Sequence, residues 1–177
     1  MKWISEDPAS KSGIARWDGT KLISTTVMRK MGAKGKYKLA EKTYSSRHEA
    51  TLASLEECKQ VVIEEGFGKF TAAVKHQAEI RGYVRCACDS LFIPMVVINV
   101  SEWRRVIKEA YGISWPATRD RKKALSIQLV KLIYDINVTD DEADAVLLGV
   151  AAQRMGLVEN IHDEILSKVP LTVKWCS

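Results

Sequence analysis

Residues 61–67 read VVIEEGF, and this short stretch decides how the rest of the chain is interpreted. Three β-branched aliphatic residues come first, which is typical of a buried strand. Two acidic residues, Glu64 and Glu65, follow directly. A buried carboxylate is costly unless it is paired or bound to a metal, so a core strand that ends in glutamate indicates more than packing.

The composition is that of an ordinary globular protein. The chain has 177 residues, 46% hydrophobic and 28% charged, which suits one domain with a core and is unlike a disordered chain. No apolar run approaches the roughly 18 residues of a membrane span. The amino-terminal sequence MKWISEDPASKSG has no signal-peptide pattern. We therefore expect an intracellular, cytoplasmic protein without a membrane partner.

Cysteine and histidine do not indicate a metal site. A CxC pair and two distant single cysteines match no zinc spacing, so reduced structural thiols are expected. The three histidines are scattered and form no cluster. The residues concerned are Cys58, Cys86, Cys88 and Cys176, and His48, His76 and His162.

Positive charge is concentrated in two segments. The net charge is +5, and residues 29–47 and 103–123 each contain seven basic residues, against one and two acidic residues respectively. Such a cluster is either a solvated face or a contact surface for a polyanion such as nucleic acid.

The predicted elements follow the order βββ-αβ-αβ-α-α-α. The first three strands form an antiparallel meander, and the helix before the fourth strand predicts a parallel crossover onto it. The fold class is therefore α/β, with a five-stranded mixed sheet, three antiparallel strands and then parallel ones, flanked by helices. The predicted strands are 2–6, 14–17, 22–28, 61–65 and 92–100; a mobile loop is predicted over 29–44, and helices over 46–60, 69–90, 101–112, 122–136 and from Thr139.

This arrangement lets four acidic residues converge. Asp7 and Glu64 end two strands that are predicted to be parallel neighbours, so their ends meet. Asp141 and Asp144 are three residues apart on one helix and share a face. Oxygen ligands suit hard divalent ions, Mg²⁺ or Mn²⁺, and two such ions can activate water and stabilise the leaving oxygen in phosphodiester cleavage.

Taken singly, these residues also have structural explanations. Asp7 precedes a proline, as turn residues often do. Asp140 and Asp141 lie where negative charge stabilises a helix N-terminus. Glu64 and Asp144 are harder to explain in this way, because both lie within apolar sequence.

Three stretches carry a family resemblance: DPASKSGIA after the first strand, VVIEEGF on the fourth, and DEADAVLLG at the start of a late helix. They resemble the three acidic motifs of RuvC-type Holliday junction resolvases, which belong to the RNase H-like, retroviral-integrase superfamily. The resemblance implies one RNase H-like nuclease domain over residues 1–177, with a core at about 2–155 and an accessory helix or tail at 157–177. The compact chain is more similar to phage-encoded members, which implies the host cytoplasm.

The resemblance also implies the chemistry and the partners. Asp7, Glu64, Asp141 and Asp144 take the catalytic, metal-binding positions, with two Mg²⁺ ions per site, Mn²⁺ as a substitute and no organic cofactor. Family members hydrolyse DNA phosphodiesters at branched junctions as homodimers, so that two strands are cut symmetrically. By this analogy the helix over 69–90 contributes to a dimer interface, through Ala73, Val74, Ile80 and Val84.

DNA contacts are expected from an aromatic residue and two basic groups. The family places an aromatic residue at the junction centre, here Phe67, which either stacks on an unpaired base or packs under the following helix. The basic loop before the last helix has family counterparts, for phosphate contacts and, at Lys122 and Lys123, for transition-state charge. The basic candidates are Lys30, Lys34, Lys36 and Lys38 in the glycine-broken loop, and Arg121, Lys122 and Lys123.

Three extra acids depart from the family pattern. Glu6 stands where the family has an aliphatic residue, on the strand face opposite Asp7, so it either pairs with a basic residue or is exposed. Alternation favours Glu64 over Glu65 as the ligand. Asp140 also shares a face with Asp144 and is an alternative to Asp141.

Two other functions stay open at this stage. One is a relaxed nuclease of the same fold that cuts flaps, replication forks or RNA–DNA hybrids. The other is a non-catalytic junction-binding protein with a degenerate site, against which the complete acidic set argues. The biological role, recombination and repair or debranching before DNA packaging, is likewise open.

Overall fold

The computed structural model describes residues 1–32, 35–65 and 72–158, and in them helices cover both faces of a seven-stranded mixed sheet. The strand order is β5-β4-β3-β2-β1-β6-β7, with antiparallel pairing from β1 to β5 and parallel pairing of β6 with β1 and β7. The predicted parallel crossover is therefore confirmed. The elements are β1 (Lys2–Asp7), β2 (Lys11–Asp18), β3 (Lys21–Met31), β4 (Lys36–Leu39), β5 (Lys42–Tyr44), α1 (Arg47–Ser54), β6 (Val61–Glu65), α2 (Ala72–Leu91), β7 (Met95–Asn99), α3 (Val100–Tyr111), α4 (Arg119–Tyr134) and α5 (Asp140–Arg154).

The predicted loop over 29–44 is wrong, and the sheet has seven strands rather than five. β3 continues to Met31, and β4 and β5 extend the meander. Leu39 is buried in the core, and two tyrosines, Tyr37 and Tyr44, pack against it. Lysines and glycines separate these apolar residues, and this polar composition is why the sequence predicted a loop instead of two strands.

Several helix boundaries also differ from the prediction. α1 ends at Ser54 and is shorter than expected, with Ser46 as its N-cap. Asn99, not Ser101, caps α3, whereas the predicted end at Gly112 is confirmed by its left-handed φ of 62°. The capping box at Thr139 is present as predicted. None of the helices in the described ranges is both long and apolar enough to cross a membrane.

Two apolar cores lie on opposite faces of the sheet. Trp3, Trp17 and Val62 face α3, α4 and α5, while Ile4 and Ile63 face α1 and α2. Because side chains alternate along a strand, the last residues of β1 and β6 are divided between the same two faces. This alternation determines which acidic residues can meet.

α5 packs very closely on β1 and β2. The Ser5 hydroxyl donates to the Ala145 carbonyl at 2.7 Å and accepts from the Trp17 indole at 2.9 Å. A Cβ at Gly149 would lie 2.5 Å from the Trp17 ring, and one at Gly13 would lie 1.8 Å from the carbonyl oxygen of Asp141. Glycine at these two positions lets the first turns of α5 reach the end of β1.

A buried ion pair resolves the question raised by Glu6. Its carboxylate lies 3.6 Å from Arg47 Nη2, with only 1% and 5% of the two side chains exposed. Arg47 also donates to the Ser12 hydroxyl at 2.6 Å and lies over the Tyr37 ring. Of the two alternatives, pairing with a basic residue is therefore the one observed.

Candidate active site

Two acidic residues meet at the ends of β1 and β6. The parallel register pairs Ser5 with Val62 and Glu6 with Ile63, so the next residues along the strands, Asp7 and Glu64, are level with each other. Glu64 is buried, and its carboxylate accepts a hydrogen bond of 2.7 Å from the indole of Trp103 on α3.

Glu65, by contrast, is exposed. It follows Glu64 in β6 and, by strand alternation, faces the other side of the sheet. Glu64, and not Glu65, therefore lies on the side of the sheet that Asp7 faces.

α5 brings further carboxylates to the same place. Asp144 is 13% exposed; it accepts a hydrogen bond of 2.6 Å from the Ser126 hydroxyl and lies 3.8 Å from a guanidinium nitrogen of Arg104. Asp141 lies one turn earlier, and its backbone abuts Gly13, which is the cross-strand partner of Asp7. The structure therefore brings Asp7, Glu64, Asp141 and Asp144 to the same end of the sheet.

The grouped carboxylates disfavour one another's charged forms. Burial, followed by the charge of Glu64, raises the pKa of Asp7 well above its usual range. Burial raises the pKa of Glu64 to about 7, although the Trp103 hydrogen bond opposes the change. The pKa of Asp144 is also raised, mainly by burial. Such a cluster is costly in the absence of a cation and becomes favourable when one neutralises it.

The donor set suits a hard divalent ion, since every candidate ligand is a carboxylate oxygen. Within the described ranges, no three acidic, histidine or cysteine side chains are oriented as a ready-made metal site. In this structure Glu64 accepts a hydrogen bond from Trp103, and Asp144 accepts one from Ser126. The chemistry of the site fits the ion, while the side chains contact protein partners.

Lys123 lies against the first turn of α5. Its ammonium group contacts Asp140 and lies 4.0 Å from Asp141. The bond to Lys123 lowers the pKa of Asp140, whereas burial raises that of Asp141. Asp140 is thus held by Lys123, and the charge of Asp141 is among those that raise the pKa of Asp7.

The other predicted basic residues are more dispersed. Arg121 and Lys122 lie in the first turns of α4, which begins at Arg119, rather than in a loop, and they form no ion pair with a described residue. Lys30 and Lys36 are exposed on the β3–β4 hairpin. Two predicted DNA contacts, Lys34 and Phe67, lie outside the described residues.

A groove runs from the first turn of α5, at Asp141, across the meander. It has a volume of about 510 Å³ and is lined by basic residues at one side and by the first turn of α5 at the other. Of the predicted lysines, Lys38 reaches it. The charged and hydroxyl side chains along it are Lys11, Thr25, Thr26, Arg29, Lys38, Glu41, Thr139, Asp140, Asp141 and Glu142.

Sequence reasoning missed three residues that contact the carboxylates: Trp103, Arg104 and Ser126. Each comes from α3 or α4, and each contact depends on how those helices pack on β6 and α5. The only local signals were a tryptophan beside two arginines in SEWRR and a serine within an apolar helix.

Comparisons with known proteins support the fold. No family model matches the chain, and no curated protein matches it. Among solved structures, T. thermophilus RuvC in complex with Holliday junction substrate matches with a TM-score of 0.60 at 17% identity, covering 88% of this chain and 96% of that one. A further Thermus thermophilus RuvC structure matches with a TM-score of 0.52 at 17% identity, over 88% and 97%. The chain therefore has the RuvC, RNase H-like fold, and the resemblance is confirmed at that level.

Proposed function

We propose that this protein is a divalent-metal-dependent endonuclease that resolves four-way DNA junctions by paired phosphodiester hydrolysis. The observation that carries the proposal is the grouping of three buried or partly buried carboxylates, Asp7, Glu64 and Asp144, at one end of the sheet of a RuvC fold. Buried carboxylates that raise one another's pKa cost stability, so their grouping is best explained by a bound cation.

In this proposal Asp7, Glu64, Asp141 and Asp144 hold the ions. Two bound Mg²⁺ ions would supply the activation of water and the stabilisation of the leaving oxygen. The indole of Trp103 orients Glu64, and the hydroxyl of Ser126 orients Asp144, through the hydrogen bonds already described. These bonds limit the rotation of the two carboxylates, which favours a defined arrangement of ligands.

The positive charge around the site suits the DNA backbone. Lys123 stands beside the first turn of α5, where a cation can stabilise charge that develops in the transition state. Lys11, Arg29 and Lys38 line the groove beside Asp141, which supports a path for a phosphodiester strand. Lys30, Lys34, Lys36, Arg121, Lys122 and Phe67 complete the proposed contacts on the basis of the sequence.

A second candidate, a relaxed nuclease of the same fold, is favoured by one observation on α2. Ile80 and Val84, which the sequence assigned to a dimer face, are fully buried within the chain itself. Paired cutting of a junction requires two sites, and therefore a homodimer, whereas a ribonuclease H-like enzyme can act as a monomer on flaps, forks or RNA–DNA hybrids.

The experiment is a cleavage assay on a panel of labelled substrates. The protein is incubated with four-way, forked, linear and RNA–DNA hybrid substrates, first with Mg²⁺ and then with EDTA. Paired, symmetric nicks near the crossover that disappear with EDTA are expected. Equal cutting of forks or hybrids would favour the second candidate, and no cutting of any substrate would contradict the proposed function.

A further inference from the structure

One arginine beside the acidic cluster lies against two indole rings. The guanidinium carbon of Arg104 lies 5.0 Å from the ring centroid of Trp103 and 5.5 Å from that of Trp115. The two rings meet edge to face, with centroids 5.8 Å apart. The Trp115 indole also donates a hydrogen bond of 2.8 Å to the backbone carbonyl of Arg104, so it is tied to the residue whose side chain it covers.

Trp103 and Arg104 each lie beside a candidate ligand. Trp103 bonds Glu64, and the next residue, Arg104, approaches Asp144. The guanidinium nitrogen is 3.8 Å from the Asp144 carboxylate, which is close enough for attraction between charges but too long for a hydrogen bond.

The side-chain N–H groups of this arginine have no hydrogen-bond partner among the residues that the structure describes. Its Nε is buried. The side chain is nevertheless 26% exposed, so a ligand in the site can reach it. A donor without a partner is costly when it is buried, and the exposed part of this guanidinium leaves room for a group that accepts its hydrogen bonds.

The nature of that group follows from the shape of the donor. A planar guanidinium offers parallel N–H groups that match the oxygens of a phosphate, and contact with two aromatic rings restricts the side chain before the ligand arrives. A simple counter-ion for Asp144 would need neither the second ring nor the planar group.

We propose that Arg104 is a catalytic residue of this site that binds the scissile phosphate through its guanidinium fork, and that Trp103 and Trp115 hold the fork in place. The inference rests on the nuclease function proposed above. When no DNA is bound, the same guanidinium partly neutralises Asp144. When DNA is bound, its free donors turn to the non-bridging oxygens of the phosphate.

The test separates the charge of Arg104 from its shape. R104K keeps the charge and loses the planar fork, while R104A loses both. R105K is the matched control, because Arg105 is the next residue on α3 and pairs on the surface with Glu109 at 3.1 Å. Each variant is assayed for single-turnover cleavage of a four-way junction with Mg²⁺ and, without DNA, for Mn²⁺ affinity by calorimetry.

We expect R104K and R104A each to slow cleavage by about 10²-fold, as for the loss of one donor to a developing oxyanion, with R105K unchanged. The affinity for Mn²⁺ should instead depend on the charge of the side chain at position 104. R104K should bind as the wild type does, and R104A should bind about tenfold more tightly, since a cation beside the ligands has been removed.

Wild-type cleavage by R104K would overturn the proposal, because it would reduce Arg104 to a counter-ion. If R104A does not fold, as judged by its circular dichroism melt, the comparison of R104K with the wild type and R105K still tests the proposal. Failure of the wild type to cut any branched substrate, with normal Mn²⁺ binding, would instead overturn the proposed function and this inference with it.

Discussion

Replacing Gly13 by alanine tests how closely α5 must approach the sheet for the acidic residues to work together. Gly13 is the cross-strand partner of Asp7 in the β1–β2 pair. A Cβ at this position would lie 1.8 Å from the carbonyl oxygen of Asp141, whereas real Cβ contacts are essentially never shorter than 3.0 Å. The added methyl group must therefore displace the first turn of α5 by about 1.2 Å or more.

A displacement of this size should affect the reaction more than the fold. Overpacking of a tight contact costs about 1–3 kcal/mol of unfolding free energy. A misplacement of about 1 Å among catalytic groups can lower the rate by about 10²-fold. Because the shift moves Asp141 and Asp144 away from Asp7 and Glu64, we expect G13A to stay folded and to lose cleavage activity by about that factor.

The assay compares two glycine variants. Single-turnover cleavage of a labelled four-way junction and urea denaturation are measured for G13A and G82A. Gly82 is exposed in α2, and a Cβ there would meet nothing within 4 Å. G82A should therefore stabilise the helix by about 0.5–1 kcal/mol and leave cleavage unchanged. Wild-type cleavage and stability in G13A would refute the reasoning that the close contact of α5 sets the site.

Three further predictions concern pH, charge and assembly. Without metal, burial raises the pKa of Glu64 from an ordinary 4.5 to about 7, so the folded state binds more protons than the unfolded state between these pH values. The free energy of unfolding should therefore fall by roughly 3 kcal/mol as the pH rises through this window. E64Q should remove most of this pH dependence. An increase of wild-type stability with pH would contradict this. Changing Lys30 or Lys38 to Ala should reduce the salt dependence of junction binding by about one phosphate contact without slowing cleavage at saturating protein. Lys122→Ala and Lys123→Ala should instead slow cleavage even at saturating protein. Unchanged rates in the last two variants would leave these lysines as a solvated face. Light scattering at micromolar concentration should give about twice the chain mass of 19.8 kDa, and a single-chain mass would favour the relaxed nuclease.

Much of the fold could be predicted because local patterns and the packing agree. The aliphatic run before Glu64 is a central strand, and the capping box at Thr139 begins α5. β4 and β5 could not be predicted in the same way. Their apolar residues, Tyr37, Leu39 and Tyr44, alternate with lysines on strands that are too short and too polar to stand out.

Part of the candidate site could likewise be predicted from the sequence, and part could not. Glu64 and Asp144 could be predicted because a carboxylate within apolar sequence is unusual. Trp103, Arg104 and Ser126 could not, because their contacts with those carboxylates arise only when α3 and α4 pack on the sheet and on α5. No periodicity within either helix distinguishes a residue that contacts the site from one that fills the core.

Cleavage by variants of two adjacent glutamates tests whether Glu64 is the carboxylate of β6 that holds the metal. Glu64 is buried beside Asp7, while Glu65, the next residue of β6, is exposed. Single-turnover cleavage of a four-way junction with Mg²⁺ is measured for E64Q, E65Q and the wild type, with junction binding measured in parallel. We predict that E64Q binds the junction and does not cut it, and that E65Q cuts as the wild type does. Full activity in E64Q would contradict the account and move the ligand to Glu65.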